Sequence, residues 1–166
     1  MDTDSLARAV GELLRQRHLT LAIAESCTGG LLGCHLTNIP GSSAYFQGGV
    51  IAYSYEVKKL VLGVPADMLA QYGAVSYQTA IAMAQGVRRL LQTDLALSVT
   101  GIAGPAGATP DKPVGLVYVA LSSANGDRCN RCAWSGDRWE NRRLSVRAAL
   151  ELLKQHLANE EQPVED

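Results

Sequence analysis

The residue best placed to do chemistry is Ser26, in the run Ala24-Glu25-Ser26-Cys27-Thr28-Gly29-Gly30. A buried-strand pattern over 20–24 ends there, and a helical pattern over 31–36 begins just beyond. A hydroxyl delivered to a helix start meets unpaired N–H groups that favour negative charge. The amides of Thr28, Gly29 and Gly30 could then hold the oxyanion that forms when an amide carbonyl is attacked. The two glycines present no Cβ to an approaching ligand. The plainer reading makes Ser26 a helix N-cap. Cys27 is a rival nucleophile, because a thiol at a helix start can ionise readily, but no histidine is paired with it.

A serine hydroxyl needs a base. His18, His35 and His156 are scattered, none in a glycine-rich or strand-end segment, so no Ser-His-Asp grouping is evident. Lys58, in Tyr53-Ser54-Tyr55-Glu56-Val57-Lys58, is the other option. It falls near a predicted helix start beside Val57 and Leu60. Burial and the helix dipole both disfavour an ammonium there. The plainer reading is a solvated lysine, which is the expectation for adjacent Lys59.

Two further segments could bind a substrate. Thr100-Gly101-Ile102-Ala103-Gly104-Pro105-Ala106-Gly107 follows a strand pattern and exposes much backbone, as phosphate- and sugar-binding loops do. It lacks the Gly-Lys-Ser/Thr of a P-loop and the spacing of a dinucleotide fingerprint. A plain surface loop is the alternative. Arg138 and Arg142 stand four apart on one face of the last helix, where two guanidiniums could clamp a phosphate or carboxylate. The alternative there is ion pairing on a solvated face.

The elements that must position these groups can be read from periodicity. Helices are predicted over 4–18 with Asp4 as N-cap, over 31–36, 55–62 and 65–71, from a Ser76 cap to Leu91, and over 137–157. Strands are predicted over 20–24, 45–53, 94–99 and 114–122 and near 128–134, with Asn125-Gly126 as a hairpin turn. Gly48 and Gly49 suggest a bulge or a close backbone approach. Alternating strands and helices with a late hairpin define an α/β fold: a three-layer α/β/α sandwich around a mixed, mainly parallel sheet.

Composition sets the outer bounds. The 166 residues fit one domain, expected over 1–158 with a flexible acidic tail at 159–166. Apolar residues make 47% and charged residues 19%, enough for a core without staples. A net charge of −1 argues against nucleic-acid binding. No secretory signal or membrane-spanning run is visible, so a cytoplasmic setting is expected. Cys129 and Cys132 have metal-pair spacing but no partner ligands, and are read as ordinary strand residues.

Taken in order, these segments resemble one family, the C-terminal domain of CinA and its stand-alone relatives, the nicotinamide-nucleotide amidases. The resemblance rests on AESCTGG at 24–30, PGSSAYFQGGVIAYS at 40–54, Lys58 with LGV at 62–64, GAVS at 73–76, VTGIAGP at 99–105, KPVG at 112–115 and GDR at 136–138. It implies hydrolysis of nicotinamide mononucleotide to nicotinic acid mononucleotide and ammonia, without metal or other cofactor. It also implies a homodimer that lacks the N-terminal domain of full-length CinA. By resemblance Ser26 is the nucleophile and Lys58 its base, Tyr53 relays a proton or orients the lysine, and Thr100, Gly101, Gly104 and Arg138 bind substrate. Two other readings share these motifs: a Ser/Lys hydrolase of another small amide, and a nucleotide- or partner-binding module without turnover. Tyr55, where the family usually has asparagine, and Ala106 and Ala108, often glycine there, are the departures.

Overall fold

A computed structural model of the chain describes residues 1–159. The first half runs α1 (Thr3–Gln16), β1 (Leu21–Glu25), α2 (Leu31–Thr37), β2 (Phe46–Ile51) and α3 (Tyr55–Leu60). The second runs α4 (Ala66–Tyr72), α5 (Tyr77–Leu91), β3 (Leu95–Gly101), β4 (Leu116–Ser123), β5 (Gly126–Ala133) and α6 (Arg138–Asn159). The expected 159–166 tail lies outside the described residues except for Asn159, the last residue of α6.

The sheet order is β2-β1-β3-β4-β5. β1 pairs in parallel with both β2 and β3, and β4 runs antiparallel to β3 and β5. Four strands therefore point one way and β4 is reversed, which is the mixed, mainly parallel sheet expected. β1 and β3 are buried on both faces, so apolar residues do not alternate with polar ones. Side-chain size alternates instead. Leu21, Ile23, Leu95, Leu97, Val99, Val117 and Val119 face the layer of α1, α2 and α6. Ala22, Ala24, Ala96 and Ala120 face the layer containing α5. Those small residues let α5 lie close to the sheet, where Ser98 Oγ donates to the Ala80 carbonyl at 2.5 Å.

Both readings of the Gly48-Gly49 pair hold. Pairing slips between Leu21 and Ala22 opposite Phe46 and Gly48, a bulge, and Gly48 has φ +144. A Cβ on Gly49 would stand 2.8 Å from the Ile23 carbonyl oxygen. Ser76 caps α5, its Oγ accepting from Thr79 N–H.

Some boundaries differ from expectation. Asp2, not Asp4, caps α1, accepting from Ser5 N–H at 2.8 Å, while Asp4 instead pairs with His35 of α2. β4 opens at Leu116 because Gly115 (φ +89) packs on the Trp134 backbone. The hairpin turns at Ala124-Asn125, and Gly126 already pairs with Ser123. Cys129 packs beside Ala80 and Ala84 while Cys132 meets the opposite, larger core, since strand residues three apart face opposite ways. Among the described residues no helix is long and apolar enough to cross a membrane.

Candidate active site

The chain steps from β1 to β2 on one side of β1 and later adds β3 on the other. A crevice forms at such a switch point, beyond the carboxyl ends of the parallel strands. Ser26 is the first residue after β1, and Thr100 and Gly101 close β3. α3, which follows β2, carries Lys58 to the same place.

Lys58 is 1% exposed, and its Nζ donates to Ser26 Oγ at 2.9 Å across 32 positions of sequence. It also meets the carbonyls of Ala52 at 2.7 Å and Tyr53 at 3.3 Å. As an ammonium it can donate to all three. As a neutral amine it has two N–H groups for the two carbonyls and one lone pair, which then faces the serine O–H. Burial lowers its pKa from 10.5 to about 8, so the amine form is accessible near neutral pH. The cause is burial alone. Lys58 lies in the last turn of α3, so the helix dipole expected to help does not.

Ser26 is not a helix cap, because the N-cap of α2 is Gly30. Between them lies a turn closed by Gly29 N–H on the Ser26 carbonyl at 3.1 Å. Gly29 and Gly30 have φ of +56 and +100, two left-handed residues in succession. No contact closer than 3.7 Å would meet a Cβ on Gly29, so the backbone angle is what requires glycine there.

Glu25, which was given no role from sequence, is 1% exposed. Its carboxylate accepts from Gly30 N–H at 3.1 Å, Leu32 N–H at 3.0 Å and Gly33 N–H at 2.9 Å. The chain therefore fills its own helix N-terminus with an internal anion. This corrects the oxyanion expectation: the amides of Gly29 and Gly30 are already engaged. Thr28 is buried and its carbonyl accepts from Arg142 at 2.9 Å. Among the described residues, neither Cys27 N–H nor Thr28 N–H meets a carbonyl or carboxylate. Burial pushes the Cys27 thiol up to about 12, which removes it as a nucleophile near neutral pH.

A cavity of about 220 Å³ opens over this pair. Ser26, Cys27, Tyr53 and Lys58 line it together with Ala74, Val75, Thr100, Gly101, Gly104 and Arg138. Thr28, Gly29, Gly30 and Arg142 do not. Arg138 Nη1 donates to the Gly104 carbonyl at 2.8 Å and Nη2 to the Tyr53 hydroxyl at 3.2 Å, so the guanidinium bridges two walls. Arg142 turns instead to Thr28 and lies 5.4 Å from the Trp139 ring, bracing the 26–30 turn against α6. Tyr53 touches Lys58 through its backbone carbonyl, while its hydroxyl belongs to Arg138. Thr100 Oγ1 donates to the Ala74 carbonyl at 2.8 Å. Gly101 admits no side chain, since a Cβ would lie 2.7 Å from the Leu116 carbonyl oxygen.

Sequence reasoning missed Glu25, Ala74 and Val75. An acid at the end of a buried apolar strand, just before a helix start, was a usable signal for Glu25. Ala74 and Val75 contribute position, and their residue types carry no mark of it.

Fold and site together define an α/β/α protein with a buried serine–lysine pair at the switch point of its sheet. The CinA C-terminal domain model matches residues 3–157, and the chain belongs to that family. It is 50% identical over 158 residues to a CinA-like protein of Myxococcus xanthus and 52% identical over 158 residues to one of a Cyanothece species. These matches take in 95% and 94% of this chain but span only 38% of the length of each relative. Among solved structures it resembles the competence/damage inducible protein CihA of Agrobacterium tumefaciens, with TM-score 0.91, 41% identity, 95% of this chain and 96% of that one. It also resembles a CinA superfamily protein of Klebsiella pneumoniae, with TM-score 0.93, 33% identity, 96% of this chain and 99% of that one.

Proposed function

We propose that the chain is a nicotinamide-nucleotide amidase, converting nicotinamide mononucleotide and water to nicotinic acid mononucleotide and ammonia. The observation that carries this reading is the 2.9 Å contact between a buried, pKa-lowered lysine amine and a serine hydroxyl at the base of a cavity.

In the first half-reaction the Lys58 amine takes the Ser26 proton as Oγ bonds to the carboxamide carbon. The carbonyl oxygen becomes an oxyanion, which we assign to the amide of Cys27, the residue that lines the cavity directly after Ser26. The C–N bond then breaks, and the Lys58 ammonium returns its proton to the leaving nitrogen, releasing ammonia. In the second half-reaction water gives a proton to Lys58 and its oxygen to the acyl carbon. The ester bond to Oγ breaks, and Lys58 returns the proton to Ser26. Arg138, at the rim beside the Gly104 carbonyl, is suited to the nucleotide phosphate. Tyr53 holds that arginine and, through its carbonyl, the lysine.

The test is to incubate the protein with nicotinamide mononucleotide and measure ammonia and the acid product. Ser26→Ala is expected to lower kcat at least about a thousandfold, and Lys58→Ala about a hundredfold or more. Full turnover by either variant would remove the mechanism, and no turnover by the wild type would remove the activity.

A further inference from the structure

The segment between α4 and α5 forms one wall of the cavity, through Ala74 and Val75. Neither side chain has chemistry, so the wall works by where its backbone stands, and side chains from other elements hold it there. Thr100 Oγ1, from β3, donates to the Ala74 carbonyl at 2.8 Å. Thr79 Oγ1, from α5, donates to the Gly73 carbonyl at 2.7 Å. Lys112 Nζ, from the connection between β3 and β4, donates to the Tyr72 carbonyl at 2.5 Å. The Tyr55 hydroxyl, from α3, accepts from Ala74 N–H at 3.2 Å.

The last tie differs from the others because Tyr55 lies on the helix that carries Lys58, one turn earlier. Ala74 is gripped by both of its backbone polar groups, by Thr100 at its carbonyl and by Tyr55 at its N–H. The length of the phenol therefore sets the gap between the lysine's helix and the opposite wall. The serine–lysine contact itself is held separately, by the carbonyls of Ala52 and Tyr53.

We infer that Tyr55 is a positioning and specificity-determining residue, which fixes the Ala74–Val75 wall against α3 and so sets the width of the slot that receives the planar amide-bearing ring. This rests on the amidase reading. Tyr55 is half exposed, so it is not a core residue that the fold needs. Losing the hydroxyl loosens the wall and leaves the serine–lysine contact as it was.

The test is Tyr55→Phe, which removes only the hydrogen bond, beside Tyr55→Ala and a Tyr77→Phe control, an equally exposed tyrosine at the start of α5. For nicotinamide mononucleotide, Tyr55→Phe is expected to raise KM roughly threefold to tenfold, with kcat within about twofold of wild type and the same pH midpoint. Tyr55→Ala is expected to raise KM further, and Tyr77→Phe to change nothing. A residue that merely supported the fold would lower Tm and leave KM alone, and that result overturns the inference. So does a fall in kcat with a moved pH midpoint, which would place Tyr55 on the catalytic pair. If the wild type does not turn over, the amidase reading fails by itself, and amide hydrogen exchange at Ala74 then decides. Faster exchange in Tyr55→Phe than in wild type, with the Ser26 amide unchanged, supports the wall; equal exchange rejects it.

Discussion

Lys58 has three hydrogen-bond partners, and two of them are carbonyls that can only accept. The neutral amine satisfies all three only when Ser26 donates to it, so deprotonation and activation of the serine are one event. The proposed mechanism requires that form, so kcat/KM is expected to rise with pH and level off above about 8, the lowered pKa. A pH–rate profile flat from 6 to 9 would contradict this (roughly two units below that midpoint to one above). The same shift acts on stability. The folded-state pKa, about 8, lies below the ordinary 10.5, so between those values the unfolded chain binds more protons. The contribution of Lys58 to stability is therefore expected to grow with pH across that window, by on the order of 3 kcal/mol. It is read as the stability difference between wild type and Lys58→Met in denaturant titrations at pH values spanning the window, because the buried Cys27 and Cys129 thiols, pushed up to about 12, act the other way in both chains. A difference that does not grow with pH would contradict the assignment.

At the scale of elements, the turn from β1 into α2 is held by charge as well as by shape. Glu25 places a carboxylate on three amides at the start of α2, where a helix N-terminus would otherwise attract an external anion. On the proposed reading this leaves the substrate's charge to Arg138, which lines the cavity. Glu25→Gln keeps the size but turns an N–H donor toward N–H donors. It is expected to cost about 1–3 kcal/mol in chemical denaturation, and unaltered stability would show that the carboxylate is dispensable. Much of this was legible beforehand. Strand, turn and helix around Ser26 followed from periodicity, and the Gly29-Gly30 pair marked the turn. The direction of the amides was not legible, because a sequence does not reveal which donors the chain satisfies internally.

Across the whole molecule, the cavity draws its walls from the ends of β1 and β3, from α3, from the α4–α5 connection and from the start of α6. The two arginines of α6 divide their work accordingly. Arg138 reaches the rim and Arg142 braces the turn beneath it. Arg138→Ala is expected to raise KM for the phosphorylated substrate roughly tenfold to a hundredfold and to leave that for the unphosphorylated nucleoside nearly unchanged. Arg142→Ala is expected to keep KM within about twofold and to lose about 1–2 kcal/mol of stability. Steady-state kinetics on both substrates, with a denaturation curve for each variant, separates the two. The reverse pattern would mean that Arg142 holds the phosphate.

By itself the sequence determined the α/β class, the order of the elements, the family, and the residue types able to supply a nucleophile and a base. Those features are local, written in periodicity, turn residues and short motifs. Only the tertiary structure decided that Lys58 is buried on Ser26, that Glu25 occupies the helix end, that Arg138 and Arg142 part ways, and that Ala74 is a wall. Each of these depends on contacts between segments far apart in the chain. Such contacts are set by how the sheet orders its strands and how closely the layers pack, and no short stretch of residues encodes either.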